Sequence, residues 1–576
     1  MSFASISSIA SSALSSAQVR MQVSASNIAN ADVGGYTTKT AVQAAVTTSG
    51  VGTGTTITAV SSSVDKYLQK DLVSEASQLG AATIAQQFAD QLQSLMGETS
   101  SSDGSGTSLA DALSEVQAAL VTLSSTVESQ TLAGLVVDAL DTLAVQLRET
   151  SDGVQQLRAD ADQQITDAVD TANDAIETIA ELNERIVVAK ALGQSTADLE
   201  DQRFTALTSL SGVLDVSYTV KANGQMSVTA ASGVTLVDGS AHLLSHDAVT
   251  TSTSETVFSG ILVDGVDITS SLGSGSMAAL VEQRDAVLPG IQASLDALAV
   301  ALIDTLNAAH NTGSSLPAPT TLSGTTSVSA GDSLTASGTL RIVTVDDEGA
   351  TLTSADLDLT AYASVDDLVA ALDALDGIDA SISSGRLVIG ASDGAGVAVA
   401  DIERSVGAAG QGFSDHFGLN DLLTGASAAD IGVRSDLLSG ETPLANAVLD
   451  VTGTLSVGDS AVSVSSSFAA GLAEALEGST SFASTGLVGS GSYSLADYAA
   501  TLVGAVASAA DSADSQFETR QSAYESASTA LTSQSGVNVD EETARLSELE
   551  QQYSVAAQIL SVLAEMFDAL LAAAKA

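Results

Sequence analysis

The strongest periodic signal in the chain lies in residues 546–571, LSELEQQYSVAAQILSVLAEMFDALL. Its apolar positions alternate spacings of three and four residues without a break, which is the heptad pattern of a helix that packs along one seam. Asn538 is placed to cap this helix, with Glu541 three residues later, and Gly536 separates it from the preceding helix. The predicted seam consists of Leu546, Leu549, Tyr553, Ala556, Leu560, Leu563, Phe567 and Leu570.

A second amphipathic helix is predicted at the N-terminal end, where it stops at the Gly34-Gly35 pair. The apolar stripe of a terminal helix must be buried, and the simplest partners are the opposite terminus and neighbouring copies of the chain. Both ends are therefore expected to contribute to one assembly seam. The N-terminal part of that seam consists of Phe3, Ile6, Ala10, Ala13, Ala17, Met21 and Ile28.

The stretch from residue 63 to residue 192 is also periodic and predicts long antiparallel coiled-coil arms. One apolar run spans residues 109–127 and the other spans residues 165–186. Further helices are expected over residues 276–310 and 494–532.

The interior of the chain has a different character. Alternating apolar residues precede Asn223-Gly224, a dipeptide that favours a tight hairpin turn, so a small β unit is expected over residues 212–272. Residues 318–488 are rich in Gly, Ser and Thr with short Val and Ile runs, which indicates an inserted β-rich region. Within it, Ser364 is expected to cap a helix that precedes a hairpin formed by residues 380–382 and 386–389.

These patterns predict an α+β multidomain protein, with terminal helices and a long antiparallel coiled-coil bundle that carries inserted β-rich outer domains. The helical ends should come together while the β-rich middle projects outward. The expected segments are an N-terminal helix with an extended segment (1–60), coiled-coil arms (61–211), a small β subdomain (212–274), a bundle helix (275–312), the inserted β-rich region (313–490), and a return helix with the terminal heptad helix (491–576).

The charge balance excludes two classes of partner. The 576 residues include 18 basic and 70 acidic side chains, a formal net charge of -52. Such a chain repels phosphate backbones and anionic lipid heads, so binding to nucleic acid or to a membrane surface is not expected. Identical copies also repel one another, so self-assembly has to depend on apolar seams.

The chain contains no cysteine, which excludes disulfides, thiolate metal sites and cysteine nucleophiles. The first residues lack a basic region followed by a continuous apolar run, so a cleaved secretory signal is not supported. The apolar stretch over residues 555–574 is interrupted by Glu565 and Asp568, which argues against a membrane span.

No residue pattern predicts a metal site. His242 and His246 would share one face of a strand, but no third ligand is recognisable nearby, so we expect surface histidines. The acidic groups at residues 346–348 and 356–358 lack the alternating carboxylates of a calcium loop and are interpreted as solvated acidic loops.

Catalytic and cofactor motifs are also not recognisable. The Gly-Ala-Gly at residues 394–396 and the Gly-Thr-Gly at residues 52–54 are not followed by the Lys-Ser/Thr of a phosphate-binding loop. The Gly-Ser repeats at residues 273–276 and 489–492 have no recognisable His and Asp partners for a hydrolase. We therefore expect no catalytic, cofactor-binding or metal-binding residues and no enzyme activity.

Three segments carry a family resemblance. Residues 25–37, ASNIANADVGGYT, resemble the signature near the start of flagellar rod, hook and hook-associated proteins. The segment LEDQR at residues 199–203 and the segment SGVNVDEE at residues 535–542 are similar to internal and C-terminal elements of the hook-associated members. The residues that carry the resemblance are Ser26, Asn27, Ile28, Asn30, Gly35, Tyr36, Asp201, Gln202, Arg203, Gly536, Val537 and Asn538.

The resemblance implies a structural subunit that joins hook to filament in the bacterial flagellum, is needed for filament assembly and motility, and packs as one ring-like layer of the axial tube. It implies contacts with further copies of the chain, with the hook protein and with a second junction protein, hook-associated protein 3. It also implies unfolded type III export to the extracellular flagellum, with a cytoplasmic export chaperone on the C-terminal helix.

Two alternatives stay open. The hook protein or another axial subunit shares the N-terminal signature, but it lacks the Asp-Gln-Arg element and the long helical run. A secreted adhesin or protease with flagellar-type ends would need a metal site or a catalytic triad in residues 318–488, and the sequence offers neither.

Overall fold

The computed structural model describes residues 3–48, 50–97, 106–407 and 409–575. Long helices lie at both ends of the chain, with small antiparallel sheets between them. A π-helical turn, Gln283–Val287, joins α6 to α7. The α-helices are α1 (Phe3–Ala29), α2 (Lys66–Met96), α3 (Leu109–Ser125), α4 (Gln130–Ala191), α5 (Ala197–Val213), α6 (Ser276–Glu282), α7 (Leu288–His310), α8 (Val365–Asp373), α9 (Phe413–Phe417), α10 (Ser435–Ser439), α11 (Ser466–Glu477), α12 (Leu495–Ser535) and α13 (Val539–Lys575).

Each sheet in the described residues has two or three strands, and the described pairings are antiparallel. The strands are β1 (Lys39–Thr48), β2 (Val51–Ser62), β3 (Val216–Val220), β4 (Met226–Ala230), β5 (Thr235–Val237), β6 (Leu244–Ser245), β7 (Leu262–Val263), β8 (Val266–Asp267), β9 (Thr321–Ser323), β10 (Ala336–Val345), β11 (Thr351–Asp358), β12 (Ile378–Ser383), β13 (Arg386–Ala391), β14 (Gly396–Val406), β15 (Leu423–Thr424), β16 (Gly432–Val433), β17 (Ala447–Leu449), β18 (Val462–Val464), β19 (Thr480–Phe482) and β20 (Gly491–Tyr493).

The chain divides into two compact units, each built from separate segments. Unit 1 comprises Met1–Phe88, Arg158–Asp285 and Asp511–Ala576, and unit 2 comprises Ala89–Leu157 and Ala286–Ala510. Several helices supply residues to both units, so neither unit is a continuous stretch of sequence.

Unit 1 brings the two ends of the chain together, as predicted. Helices α1 and α13 pack against each other, and the hairpin β1–β2 lies on α1. The sheets β3-β4-β5 and β6-β7-β8 form the small β part of this unit. The hairpin predicted at Asn223-Gly224 is confirmed, since β3 and β4 pair across it and Gly224 has a φ of 92°.

Unit 2 combines helices with most of the β structure. One hydrophobic core is formed by the sheets β11-β10-β14 and β12-β13-β9 together with α8 and α9. Ser364 caps α8 as predicted, because its Oγ accepts the amide N–H of Asp367 at 3.2 Å. The predicted hairpin also forms, as β12 and β13.

The β-rich region is not a β module alone. Helix α11 lies within residues 318–488 and packs against α3 and α7. Ser465 caps α11, and Phe468, Leu472 and Leu476 recur at four-residue spacing on its buried face. This part of the predicted insertion is therefore integral to the helical core of unit 2.

The interpretation of residues 356–358 as a solvated loop was wrong. Asp356 lies in β11 and forms a bidentate ion pair with Arg341, with Nε–Oδ1 at 2.7 Å and Nη2–Oδ2 at 2.8 Å. The Arg341 side chain is 2% exposed and needs a compensating charge. Its guanidinium holds the pKa of Asp356 below the usual range.

Candidate assembly site

The segments that carry the family resemblance converge in unit 1. Asn27, on α1, fixes the start of β1: its Oδ1 accepts the amide N–H of Lys39 at 3.0 Å, and its Nδ2 donates to the carbonyl of Lys39 at 2.9 Å. The same Oδ1 accepts the hydroxyl of Tyr36 at 3.0 Å. Asn27 is fully buried, so each of these bonds forms away from water.

Asp201, near the start of α5, binds the segment that leads from Tyr36 into β1. Its carboxylate accepts the amide N–H of Thr37 at 2.9 Å and the Thr37 hydroxyl at 2.8 Å. It also forms an ion pair with the ammonium of Lys39, which lies 3.9 Å from the centre of the Tyr36 ring. The Lys39 side chain is 4% exposed and that of Asp201 is 12% exposed, so this is a buried pair.

The C-terminal segment binds the same segment before β1. Thr38 donates its amide N–H to the carbonyl of Ser535 at 2.7 Å and its hydroxyl to the carbonyl of Gly536. Asn538 caps α13 as predicted, with Oδ1 accepting the amide of Asp540 at 3.1 Å. We call Asn27, residues 36–39, Asp201 and Gly536 the motif junction.

Two further motif residues have structural roles beside the motif junction. Gly35 has a φ of 80°, and a Cβ at this position would lie 2.7 Å from Oγ1 of Thr205. Arg203 is buried and donates from Nη1 to Oδ1 of Asn183 at 2.8 Å and to the carbonyl of Gly224 at 2.7 Å. Arg203 therefore links α5 to α4 and to the β3–β4 turn.

The remaining motif residues make fewer contacts. Asn30 donates from Nδ2 to the carbonyl of Ser26 at 2.8 Å within α1 and the turn that follows it. Gln202 is exposed, while Ile28 and Val537 are half-buried.

The terminal helices run antiparallel. Ser24 donates its hydroxyl to the buried carboxylate of Glu542, near the start of α13, whereas Ile6 and Ile559 line one groove near the start of α1. The sequence did not predict this contact of Glu542. Residues of α13 beyond Leu563 therefore extend past the beginning of α1.

Burial along the predicted seam follows this overlap. Ala10, Ala17, Leu549 and Ala556 are buried, whereas Phe3, Phe567 and Leu570 are 41%, 57% and 59% exposed. The other seam positions are half-buried, namely Ile6, Ala13, Met21, Ile28, Leu546, Tyr553, Leu560 and Leu563. The seam thus has a middle that the chain itself covers and an end that is exposed.

A second apolar stripe on α13 was not predicted. Val555, Ile559, Val562 and Met566 are 58%, 42%, 48% and 49% exposed, at spacings of four, three and four residues. We call these four residues the exposed stripe. The groove between α1 and α13 adjoins it, with a volume of about 600 Å³. Its lining includes Ile6, Ile9, Ala10, Ala13, Val555, Ala556 and Ile559.

Among the residues that the structure describes, two helical stretches are long and apolar enough to cross a membrane by length and composition, Ser276–His310 and Leu495–Lys575. The apolar window of the first is 56% buried, as in the core helix of a folded domain. The apolar window of the second is only 6% buried. Because Glu565 and Asp568 interrupt its C-terminal part, a protein partner suits these side chains better than lipid.

The histidines differ from their predicted surroundings. His246 is not a surface residue: its side chain is fully buried, and its Nε2 lies 3.0 Å from Oδ1 of Asp162, which also accepts Nη1 of Arg284 at 2.6 Å. The buried carboxylate requires these partners. His242 is partly exposed between Asp238 and Asp264. Within the described ranges, no group of three or more potential ligands is placed to hold a metal ion.

Comparison with known families places three matches along the chain. The flagellar hook-associated protein FlgK helical domain matches residues 89–321. The flagella basal body rod protein family matches residues 8–37, and the flagellar basal body rod FlgEFG protein C-terminal family matches residues 528–573. The two end matches include the predicted N-terminal signature and all of the C-terminal seam.

Individual relatives agree with these matches. The chain is 29% identical over 321 residues to flagellar hook-associated protein 1 of Salmonella typhimurium strain LT2, covering 53% of this chain and 56% of that protein. It is 28% identical over 321 residues to the protein of the same name from Escherichia coli K12. The chain thus spans about half the length of the curated relatives it matches.

The fold is similar to a solved structure, the flagellar hook junction protein FlgK from Burkholderia pseudomallei. The TM-score is 0.50 with 16% sequence identity, and the match covers 80% of this chain and 98% of that chain. The predicted combination of helical ends with β-rich parts is therefore confirmed as a FlgK-like fold, and the sequence matches confirm the family resemblance.

Proposed function

We infer that this chain is a structural subunit of the junction between the flagellar hook and filament. It matches the FlgK helical domain in its interior and flagellar rod protein families at its two ends. The observation that carries this proposal is the helical-domain match at residues 89–321, since the end segments alone are common to several axial proteins. The role is mechanical, and no chemical step is assigned to it.

The motif junction holds the two terminal helices in position to contact neighbouring subunits. It fastens α1, the start of α5 and the loop before α13 to residues 37–39, so the two terminal helices are held as a pair. Two terminal helices that are already paired lose less conformational entropy on assembly than two separate helices would. The exposed stripe and the open end of the seam then pack against neighbouring subunits in a ring-like layer.

The proposed partners are those of an axial junction. Further copies of the chain lie in the same layer, the hook protein lies on one side, and hook-associated protein 3 lies on the other. The overhanging end of α13, with Phe567 and Leu570 exposed, suits an export chaperone that covers apolar surface before assembly. Localisation in the extracellular flagellum after type III export follows from the same role.

The runner-up function is the hook protein or another axial subunit. The matches at residues 8–37 and 528–573 fit either function, but the match at residues 89–321 is specific to hook-associated proteins. A secreted adhesin or protease with flagellar ends has no specific observation in its favour.

Deletion of the gene tests the proposal. We expect cells with complete hooks that lack filaments and release filament protein into the medium, and we expect the wild-type gene to restore filaments. Loss of the hooks themselves would instead support a rod or hook subunit. Normal filaments in the deletion strain would refute the junction role.

A further inference from the structure

The charge of this chain is unevenly distributed. Residues 1–64 contain Arg20, Asp32 and Lys39 as their charged side chains, a formal charge of 2 − 1 = +1. The remaining residues therefore carry −52 − 1 = −53. Copies of so acidic a chain repel each other except where the contact surface is uncharged. Helix α1 and the hairpin β1–β2 lie within this neutral segment.

The hairpin exposes apolar side chains that the chain does not cover. No charged residue occurs between Lys39 and Asp65. Val42, Val46 and Val51 are 44%, 39% and 60% exposed. The hairpin packs against α1, and these valines remain exposed outside that contact.

The two strands differ in how their outer edges are covered. On β2, the amide of Thr55 donates to Oγ of Ser12 at 3.1 Å, and the Thr55 hydroxyl lies 3.2 Å from that of Ser16, so α1 lies against this strand. On β1, the described backbone of residues 40–48 forms no hydrogen bond with a segment other than β2.

An open strand edge is usually guarded by lysine, proline or an inward-pointing charge. Residues 40–48 contain none of these, and they are rich in Thr, Val and Ala, which favour strand pairing. Because unguarded edges are a template for pairing with another chain, natural proteins leave them open mainly where pairing is intended.

We propose that the open edge of β1 and its exposed valines form a contact with a second copy of this chain. The inference rests on the proposed junction role and adds a contact surface to it, separate from the exposed stripe on α13. The occupant is a second copy because the neutral segment is where two chains of formal charge -52 approach at the lowest electrostatic cost.

Site-specific photo-cross-linking tests the contact. p-Benzoylphenylalanine is placed at position 46, and a matched control carries it at position 257, where Val257 is 90% exposed in unit 1. Isolated hook–filament complexes are irradiated and blotted. We expect an adduct of roughly twice the 57.3 kDa chain mass from position 46, containing only this chain, and none from position 257.

Each outcome decides between the two proposals. An adduct with a different protein, or no adduct at position 46, would overturn the second-copy contact. If hook–filament complexes isolated without irradiation do not contain the chain, the junction role is refuted instead. In that case the same cross-link, measured in the fraction where the chain accumulates, still decides the contact.

A charge variant gives an independent readout. Val46→Asp should reduce the amount of chain retained in isolated complexes, whereas Val257→Asp should leave it unchanged. Circular dichroism of both purified variants should match that of the wild type. Equal retention of the two variants would count against the contact.

Discussion

At the scale of single residues, Lys39 and Asp201 have the largest predicted effect on stability. Removing one partner of a buried ion pair leaves the other charge without compensation. We expect Lys39→Met to lower the free energy of unfolding of unit 1 by about 3 kcal/mol. Arg185→Met is the matched control, because its pair with Glu181 is 3.6 Å long with side chains 54% and 71% exposed. That change should cost less than about 1 kcal/mol.

Urea unfolding followed by circular dichroism measures both variants. Equal losses of stability in Lys39→Met and Arg185→Met would show that the motif junction contributes nothing beyond an ordinary surface pair.

Two histidines should give opposite dependences of stability on pH. Burial lowers the pKa of His310 to about 4, while its Nε2 accepts the amide of Ala445 at 3.0 Å. The unfolded chain then binds the extra proton first, so this residue destabilises unit 2 as the pH falls from about 6.5 to about 4. In His242, the hydrogen bond to Asp264 raises the pKa, so its contribution is present at low pH and is lost as the pH rises through the folded-state pKa.

The measurement is the free energy of unfolding of His310→Gln and His242→Gln between about pH 4 and about pH 8, relative to wild type. Below about pH 6.5, the free energy of unfolding of the His310 variant should fall less steeply with decreasing pH than that of wild type. The difference between the two should reach on the order of 3 kcal/mol at about pH 4. Above about pH 6.5, only the His242 variant should change how the free energy of unfolding depends on pH. Identical profiles for the two variants would contradict both assignments.

At the scale of elements, α13 has two faces that should respond differently to the same substitution. Leu549 is 1% exposed against the rest of unit 1, whereas Val562 is 48% exposed on the exposed stripe. We expect Leu549→Asp to destabilise the isolated chain by several kcal/mol, because it buries an unpaired charge. Val562→Asp should leave the monomer intact and should prevent filament attachment.

Thermal unfolding of the purified monomers and filament counts in cells separate the two effects. A Val562→Asp strain with normal filaments would show that the exposed stripe is not an assembly surface. Binding of the wild-type helix, but not of the variant, to lipid vesicles would favour a membrane partner instead.

The sequence predicted the elements of this helix pair more completely than its contacts. Heptad spacing identified Leu549 and Ala556 as one stripe, but Val555 and Ile559 follow the same spacing one position away, so periodicity alone could not show which stripe faces α1. The contact between Thr37 and Asp201 joins residues 164 positions apart, and local pattern carries no information at that distance. The family resemblance identified the residues, and the structure shows their partners.

At the scale of the whole molecule, two deletions test how the β-rich region belongs to unit 2. The amide of Thr325 donates to the carbonyl of Gly418 at 3.2 Å, so replacing residues 325–417 by a short linker joins neighbouring points. We expect unit 2 to remain folded with lower stability, because Val343 and Val345 also pack against Leu449. Filament attachment should persist.

Removal of residues 323–486 is the contrasting deletion. It removes α11 and uncovers apolar surface on α3 and α7, so we expect unit 2 to unfold and to become sensitive to protease. An outer position of all of residues 313–490 would predict tolerance of both deletions, whereas the packing of α11 against α3 and α7 predicts tolerance of the smaller one alone. Equal tolerance of both deletions, measured by swimming and by limited proteolysis, would show that α11 is not part of the core.

For the unfolded export proposed above, the motif junction also sets an order of events. Thr38 bonds to Gly536 across 498 residues, so the strand after α1 gains its last partner only when nearly the whole chain has emerged. Closing so long a loop costs entropy before any contact repays it, and folds with distant contacts form slowly. In the proposed export, the motif junction is therefore completed only after Ser535 and Gly536 have left the export channel.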